Sequence, residues 1–206
     1  MEVRFYVEGP SDRKFLQDIV KCWYNTVLPD DLVDVLDGKD NLENRFAEAL
    51  DKNGPSFIAN QIDEVKSVVI LDADHNPAQR HQDVALLAQT HQFDFFLWPN
   101  NNLSGDLESI LEQVYNPRHQ PFFDCWQAYE RCLTGEGAGK YYLPNRKGKI
   151  YAYMEALLAH SETQRKKVGH VRERDFLNEE HWNLTPTQST LQPLKTFLDT
   201  YFSTPQ

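Results

Sequence analysis

The feature that most constrains the fold of this chain is a regular alternation of short apolar segments with amphipathic helical patterns. Helical spacing of apolar residues follows Asp12, the Asp40/Glu43 pair and Pro77. Short segments rich in branched or aromatic residues, as strands are, lie at residues 4–7, 32–36, 67–71 and 93–98. This order predicts an α/β domain with a doubly wound, mostly parallel four-stranded sheet flanked by helices on both faces.

The pattern beyond Trp98 becomes largely helical, with candidate helices at residues 106–114, 122–133, 150–159 and 191–201. Several glycines and a proline between residues 134 and 148 predict a mobile loop. A chain of 206 residues suits one domain with appendages. We therefore expect an α/β core over residues 1–115 and a helical C-terminal extension over residues 116–206, packed together as one compact unit.

The charge of the chain limits the ways in which it could bind nucleic acid. A net charge of −10 argues against a protein that simply coats DNA, because affinity for phosphate backbones comes mainly from lysine and arginine. An enzyme is still allowed, since a divalent metal neutralises carboxylates locally. The last third of the chain also carries a basic run that is either a substrate-facing strip or a solvated face: Lys140, Arg146, Lys147, Lys149, Arg165, Lys166, Lys167, Arg172 and Arg174.

Cysteine content and hydropathy indicate the cellular setting. The three cysteines are odd in number and form no C-x-x-C pair, so we expect reduced, buried thiols and neither a disulfide framework nor a zinc cluster. No apolar run approaches the ~20 residues that a membrane span needs. The first residues lack the pattern of a secretory signal. These features predict a soluble, cytoplasmic protein without a membrane partner.

Acidic residues follow the predicted strands at their carboxyl ends. Glu8 comes after the first strand, Asp72 and Asp74 close the third, and Asp106 with Glu108 follows the fourth. Ligands of open parallel sheets bind at this edge, so these carboxylates are expected to meet. Their mutual repulsion would be relieved by a divalent cation, and Mg²⁺ (or Mn²⁺) prefers such oxygen ligands. The sequence therefore predicts a magnesium site.

Each acidic residue also has a structural interpretation. Asp12 is more often a helix cap than a metal ligand, although it lies close to Glu8. Asp106 and Glu108 could equally favour the start of a helix. His75 is adjacent to Asp74 and could touch substrate, but it has no metal-binding spacing with His81. Only the joint placement of the carboxylates favours a metal site over these alternatives.

Two motifs resemble the TOPRIM domain, which topoisomerases, bacterial primases, recombination-mediator proteins and OLD-type nucleases share. The segment Val7-Glu8-Gly9-Pro10-Ser11-Asp12 is similar to its glutamate motif, and Val69-Ile70-Leu71-Asp72-Ala73-Asp74 is similar to its D-x-D motif. Gly105-Asp106-Leu107-Glu108 resembles the second acidic pair of OLD-type nucleases, and Lys147-Gly148-Lys149 stands where that group carries a catalytic lysine. The region from Trp98 to Leu111 and that from Lys149 to Tyr153 also resemble small stand-alone TOPRIM-like proteins of uncharacterised function.

The resemblance implies a TOPRIM-like fold and Mg²⁺-dependent phosphodiester chemistry on nucleic acid, in DNA repair or phage defence. It implies catalytic roles for Glu8, Asp72, Asp74 and Lys149, with Lys147 as the second choice of lysine. A different class of function, which an acidic surface favours, is a non-catalytic binding or regulatory module that acts with an ATPase or nuclease partner. A third is phosphoryl chemistry on a small nucleotide.

Overall fold

The computed structural model describes residues 3–36, 65–135, 139–158, 161–164 and 174–202. Its centre is a four-stranded, all-parallel sheet in the order β2-β1-β3-β4. The strands are β1 (Val3–Val7), β2 (Val33–Val35), β3 (Lys66–Asp72) and β4 (Asp94–Trp98). All four strands predicted from the sequence are confirmed, with ends shifted by one residue at most.

Helices flank this sheet, as the alternating pattern predicts. Numbered in chain order over the described residues, they are α1 (Pro10–Tyr24), α2 (Pro77–His91), α3 (Leu107–Leu111), α4 (Gln120–Thr134), α5 (Arg146–Leu158) and α6 (Gln192–Leu198). The helix predicted after the Asp40/Glu43 pair lies outside the described residues. None of the described helices is long and apolar enough to cross a lipid bilayer.

Alternation along the strands creates a core on each face of the sheet. Phe5 and Val7 of β1 are buried on the face that α1 covers, whereas Tyr6 belongs to the cluster that includes Val84 of α2. Side chains of the C-terminal half, among them Tyr153 and Trp182, are buried in the same cluster as Phe5. The C-terminal helices therefore complete the core on the α1 face.

The chain reverses its direction of progress across the sheet between β1 and β3. From β1 it moves outward to β2 on one side, and it then continues on the other side of β1 through β3 to β4. Open α/β sheets bind ligands at such a switch point, outside the carboxyl ends of the two central strands. In this protein those ends are the residues that follow Val7 and the end of β3 at Asp72.

Two sequence predictions for local structure are wrong. The segment predicted as a loop up to Gly148 becomes helical at Arg146, because the Asn145 side chain accepts a hydrogen bond from the Gly148 amide at 2.8 Å and so caps α5. The cysteines are free, as predicted, but all three are exposed. Cys125 and Cys132 lie on α4, none of whose residues is buried, so they occupy the solvent side rather than the core.

The helix predicted over residues 106–114 is shorter than expected. Asp106 lies just outside α3 and caps it, accepting a hydrogen bond from the Ser109 amide at 2.9 Å. The helix ends at Leu111. A tighter turn follows it, in which the Gln113 amide donates a hydrogen bond to the Ile110 carbonyl at 2.8 Å. The acidic pair Asp106/Glu108 thus occupies a cap and a first turn, close to the sheet edge.

Candidate carboxylate site at the sheet edge

Glu8 and Asp72 lie side by side at the switch point of the sheet. The register of β1 and β3 pairs Val7 with Ile70, so Glu8 extends from the end of β1 beside the last residues of β3. The Asp72 amide donates a hydrogen bond to Glu8 Oε2 at 3.3 Å. Two motifs separated by more than sixty residues in the chain therefore meet directly, as the parallel-strand argument predicts.

The D-x-D turn is tied to the segment that carries the second acidic pair. Asp74 adopts a left-handed conformation, with φ of 56°, and exchanges two backbone hydrogen bonds with Gly105 at 3.1 and 3.0 Å. A Cβ atom at Gly105 would lie 2.5 Å from Ser109 Oγ, so a side chain does not fit there without movement. This bridge places Asp106 next to the end of β3 and leads the chain into α3.

Asp12 contributes a buried carboxylate from the first turn of α1. Its side chain is 7% exposed, and Oδ2 accepts a hydrogen bond from the Gly9 amide at 3.0 Å. Its other oxygen, Oδ1, is buried without a hydrogen-bond partner among the described residues, and so is Oδ1 of Asp72. Helix capping, the structural interpretation of Asp12, therefore accounts for one of its oxygens and leaves the other unexplained.

Mutual repulsion shows that the acidic side chains form one group. Burial raises the pKa of Asp72 to about 8, and the charges of Asp12, Glu8, Asp106 and Glu108 add to the effect. Burial also raises the pKa of Asp12 to about 7, with further contributions from Glu108 and Glu8. We call these five residues, Glu8, Asp12, Asp72, Asp106 and Glu108, the carboxylate cluster. Raised carboxylate pKa values at a strand-end crevice are typical of functional sites.

Glu108 is the most deeply buried acid of the second motif. It is 5% exposed, and burial raises its pKa although Lys147 and Arg174 act in the opposite direction. A carboxylate held in this way needs a nearby cation, because an uncompensated buried charge is costly. The cations that face Glu108 come from α5 and from the segment that begins at residue 174.

Lys147 is the lysine of α5 that faces the carboxylate cluster. Its pKa is raised, first by Glu108 and against the effect of burial, with smaller contributions from Asp72, Asp12 and Asp106. The neighbouring Arg146 reaches Asp106, with 3.9 Å between Nη1 and Oδ1, which fixes the start of α5 beside the cluster. Lys147 thus lies within electrostatic reach of most of the acidic residues.

Lys149 makes different contacts from Lys147. Its Nζ lies 3.1 Å from a carboxylate oxygen of Glu112 and 3.3 Å from one of Glu130. Because Lys147 and Lys149 are two residues apart on a helix, they point in different directions. Lys149 therefore joins α5 to α4 and to the end of α3, and its catalytic role stays a prediction that these contacts do not favour.

The remaining predicted residues lie at the margin of the site. Asp74 and His75 continue the turn after β3, Asp74 partly buried and His75 exposed. The backbone of Asp74 shapes the turn through its two hydrogen bonds with Gly105. Its part as a metal ligand, like that of His75 in substrate contact, stays a prediction.

Two arginines at the site were not predicted as site residues. Arg80 of α2 donates from Nε to the Asp72 carbonyl at 3.3 Å, and its Nη2 lies 4.0 Å from Glu8 Oε2. Arg174 donates from Nη1 to Ser11 Oγ at 3.3 Å, one residue from Asp12. Arg80 lies on the first turn of the helix after the D-x-D motif, which is a local signal. Arg174 is brought in from 163 positions away, and the sequence indicated it only as one member of the basic run in the last third of the chain.

The donor set fits a hard divalent cation. Within the part of the chain that the structure describes, no three His, Cys, Asp or Glu side chains are already arranged to hold a metal ion. The buried Oδ1 atoms of Asp12 and Asp72 nevertheless lack any hydrogen-bond donor among the same residues. Carboxylate oxygens of this kind suit Mg²⁺ or Mn²⁺, which take few protein ligands and complete their shell with water and phosphate oxygens.

A family model matches nearly the whole chain. The model of a family described as a protein of unknown function (DUF3226) matches residues 2–203. Neither the curated proteins nor the solved structures include a significant match.

Proposed function

The chain belongs to the DUF3226 family of proteins of unknown function, and from its site we propose that it carries out Mg²⁺-dependent phosphodiester chemistry on nucleic acid. We further propose that its parallel sheet is a TOPRIM-like fold and that the reaction resembles that of OLD-type nucleases. The observation that carries the proposal is the carboxylate cluster at the switch point, where Asp12 and Asp72 each keep a buried oxygen without a donor among the described residues. A bound cation would satisfy these oxygens as its ligands.

The proposal assigns metal binding to the acids at the ends of β1 and β3. Glu8 and Asp72 are adjacent, and Asp12 lies within electrostatic reach of both. Asp106 and Glu108 would help to hold a second ion, and Asp74 would contribute from the turn. When bound, Mg²⁺ would act as a Lewis acid on phosphate oxygens and stabilise negative charge in the transition state.

The protein side chains would position the substrate and handle protons. Glu8 could accept a proton from the attacking water, because one of its oxygens is already fixed by the Asp72 amide at 3.3 Å. Arg80 holds the same carboxylate at 4.0 Å and so would keep it oriented. Lys147 would offset charge that develops on the phosphate, in place of the predicted Lys149, whose Nζ is engaged by Glu112 and Glu130.

The test is metal-dependent cleavage of plasmid and single-stranded DNA and RNA by wild type and Asp72→Asn. We expect cleavage with Mg²⁺ or Mn²⁺, its loss in EDTA, and its loss in Asp72→Asn. The matched control is Asp94→Asn. This substitution changes a carboxylate at the amino-terminal end of β4, away from the carboxyl ends of the strands, and the variant should cleave like wild type. Equal activity of wild type and Asp72→Asn would exclude this mechanism.

A second candidate function is a non-catalytic binding module that docks to an ATPase or nuclease partner. Exposed apolar side chains between α4 and α5 favour it, since Tyr142 is 97% exposed and Tyr141 and Leu143 are more than half exposed. Co-purification of a defined ATPase or nuclease, lost on replacement of Tyr142 and Leu143 by serine and combined with absence of metal-dependent cleavage, would support this function over the first.

A further inference from the structure

Arg174 holds a position for which the proposed chemistry gives no role. Its Nη1 donates to Ser11 Oγ at 3.3 Å, in the first turn of α1 and next to Asp12. Its Nε is buried without a hydrogen-bond partner among the described residues. Burial lowers the pKa of Arg174, while Glu108 and Tyr151 act to raise it. A partly buried guanidinium beside a carboxylate cluster is suited to bind an anionic group.

Tyr151 lies within electrostatic range of this arginine and is partly exposed to solvent. The residue is 41% exposed on α5, whose other large side chains Tyr153 and Met154 are buried. It follows Lys147 by four positions, so the two side chains lie on the same face of the helix, about 6 Å apart along its axis. Lys147 and Tyr151 on one face of α5, together with Arg174, thus form a short stretch of two cations and one ring at the border of the cluster.

We propose that this stretch binds one unpaired nucleotide of the substrate: Arg174 and Lys147 contact its phosphates and Tyr151 stacks on its base. The inference rests on the proposed function and narrows it, because it makes a single strand, a flap or a frayed end the preferred substrate. Stacking on a tyrosine requires a base whose face is free, and bases inside a duplex already stack on their neighbours. Arginine and lysine supply the phosphate contacts.

The overall charge of the protein supports this narrow mode of binding. A duplex interface spreads over many phosphates and needs a broad basic surface, which a chain of net charge −10 does not favour. Two cations and one ring can instead hold a single nucleotide step close to the acids. Base stacking on an aromatic side chain changes affinity by roughly 5- to 100-fold when the ring is removed.

The experiment measures fluorescence anisotropy of a labelled short oligonucleotide with Ca²⁺ in place of Mg²⁺, so that cleavage does not consume the probe. Three probes of equal length are compared: a single strand, the matching duplex, and a single strand made of abasic sugar-phosphate units. The variants are Tyr151→Ala, Arg174→Lys and Arg174→Gln. Controls are Tyr129→Ala, an exposed tyrosine of α4 that contacts Trp126, and Arg118→Gln, an exposed arginine near Glu180. Thermal unfolding of each variant verifies that it is folded.

We expect wild type to bind the single strand at least about fivefold more tightly than the duplex or the abasic strand. Tyr151→Ala should lower the affinity for the single strand to the affinity for the abasic strand. It should leave the affinity for the abasic strand unchanged. Arg174→Gln should weaken both and reduce the salt dependence by about one counterion, with partial recovery in Arg174→Lys. The two control variants should bind like wild type.

Several results would overturn the inference. They are unchanged single-strand binding in Tyr151→Ala, equal or tighter binding of the duplex, or no binding of any probe. If one of these occurs while metal-dependent cleavage is still lost in Asp72→Asn, the nucleotide contact is wrong and the proposed function stands. If cleavage is absent from wild type, the proposed function itself fails.

Discussion

Two aspartates on neighbouring strands show how the candidate site at the carboxyl ends of the sheet differs from the amino-terminal end of β4. Asp94 begins β4 and contacts Lys66 Nζ and the Tyr201 hydroxyl, each at 2.6 Å. Burial alone would raise its pKa, but these hydrogen bonds outweigh burial and lower it. Asp72 ends β3, and burial together with four acidic neighbours raises its pKa to about 8.

The difference lies in the neighbours and not in the residue type. Asp94 has a cation and a hydroxyl that stabilise its negative form, so its role in the fold is complete without any ligand. Asp72 has an oxygen that no described group satisfies. An acid that is 44% exposed and paired, like Asp94, supports the structure, whereas an acid with an oxygen buried among other acids, like Asp72, is typical of cation sites.

The largest effect is expected from replacing the two aspartates in parallel. Asp72→Asn should reduce metal-dependent cleavage by about a hundredfold or more, because it removes a proposed ligand of the ion that would stabilise the transition state. It should also raise the melting temperature of the metal-free protein at pH 8, since it relieves repulsion in the cluster. Asp94→Asn should lower stability by up to about 1 kcal/mol and leave cleavage unchanged. Cleavage assays and thermal unfolding would distinguish the two aspartates, and similar effects of both substitutions would contradict the comparison.

The effect of Mg²⁺ on stability should depend on pH. Asp12 and Asp72 have pKa values raised to about 7 and about 8, above those of an unfolded chain. Their contribution to metal-free stability is therefore complete below about pH 4 and is lost as the pH rises towards 8. Since protons compete with the metal, saturating Mg²⁺ should raise the melting temperature by about 5–10 °C at pH 8 and by under about 2 °C at pH 5.

Thermal scans with Mg²⁺ and with EDTA at the two pH values measure this difference. Asp72→Asn is the control, because it removes one of the two titrating acids and should reduce the shift at pH 8. A shift of equal size at pH 5 and pH 8 would mean that Mg²⁺ binds elsewhere on the protein.

The connection between the D-x-D turn and the second acidic pair can be tested with two glycines. Gly105→Ala places a methyl group 2.5 Å from Ser109 Oγ at a φ of +152°, and we expect a loss of about 1–3 kcal/mol and reduced cleavage. Gly139→Ala also has a positive φ, +79°, but its Cβ would meet open space. It should cost about 1 kcal/mol and leave cleavage intact. Denaturant unfolding measures both losses, and equal activity of the two variants would show that the turn does not organise the site.

The smallest effect distinguishes the two lysines of α5. Lys147→Ala should lower the cleavage rate about tenfold, because it removes a positive charge close to Glu108 and Asp72. Lys149→Ala should lower stability by up to about 1 kcal/mol through the lost contacts with Glu112 and Glu130, with little change in rate. Kinetics and unfolding of both variants decide between the lysines. A larger loss of rate in Lys149→Ala would restore the assignment that the sequence alone favoured.

Strand and helix patterns were sufficient to predict the sheet and the positions of its ends. Each of the four strands is short and rich in branched or aromatic residues. This local pattern predicts the strands well because a parallel strand buried on both faces needs apolar residues along its length. The boundaries of α5 were missed, because capping by Asn145 outweighs the glycine that follows. The exposure of the cysteines was also missed, since α4 exposes the face that carries Cys125 and Cys132.

Within the site, the sequence predicted which residues end the strands but not how each side chain is used. Asp12 looked like a helix cap and is one, yet its second oxygen is buried among acids. The choice between Lys147 and Lys149 depends on the rotation of α5 about its axis, which α3 and α4 set through Glu112 and Glu130. Neither detail has a signature in the local sequence.

By itself, the sequence determined an alternating α/β chain whose acidic residues follow its strands, because hydrophobic periodicity and strand polarity are properties of short segments. Only the tertiary structure decided that Asp72 and Glu8 touch, that Arg174 arrives from the far end of the chain, and which lysine faces the acids. Those contacts depend on how distant segments pack against one another, and packing is fixed by the whole core rather than by any one motif.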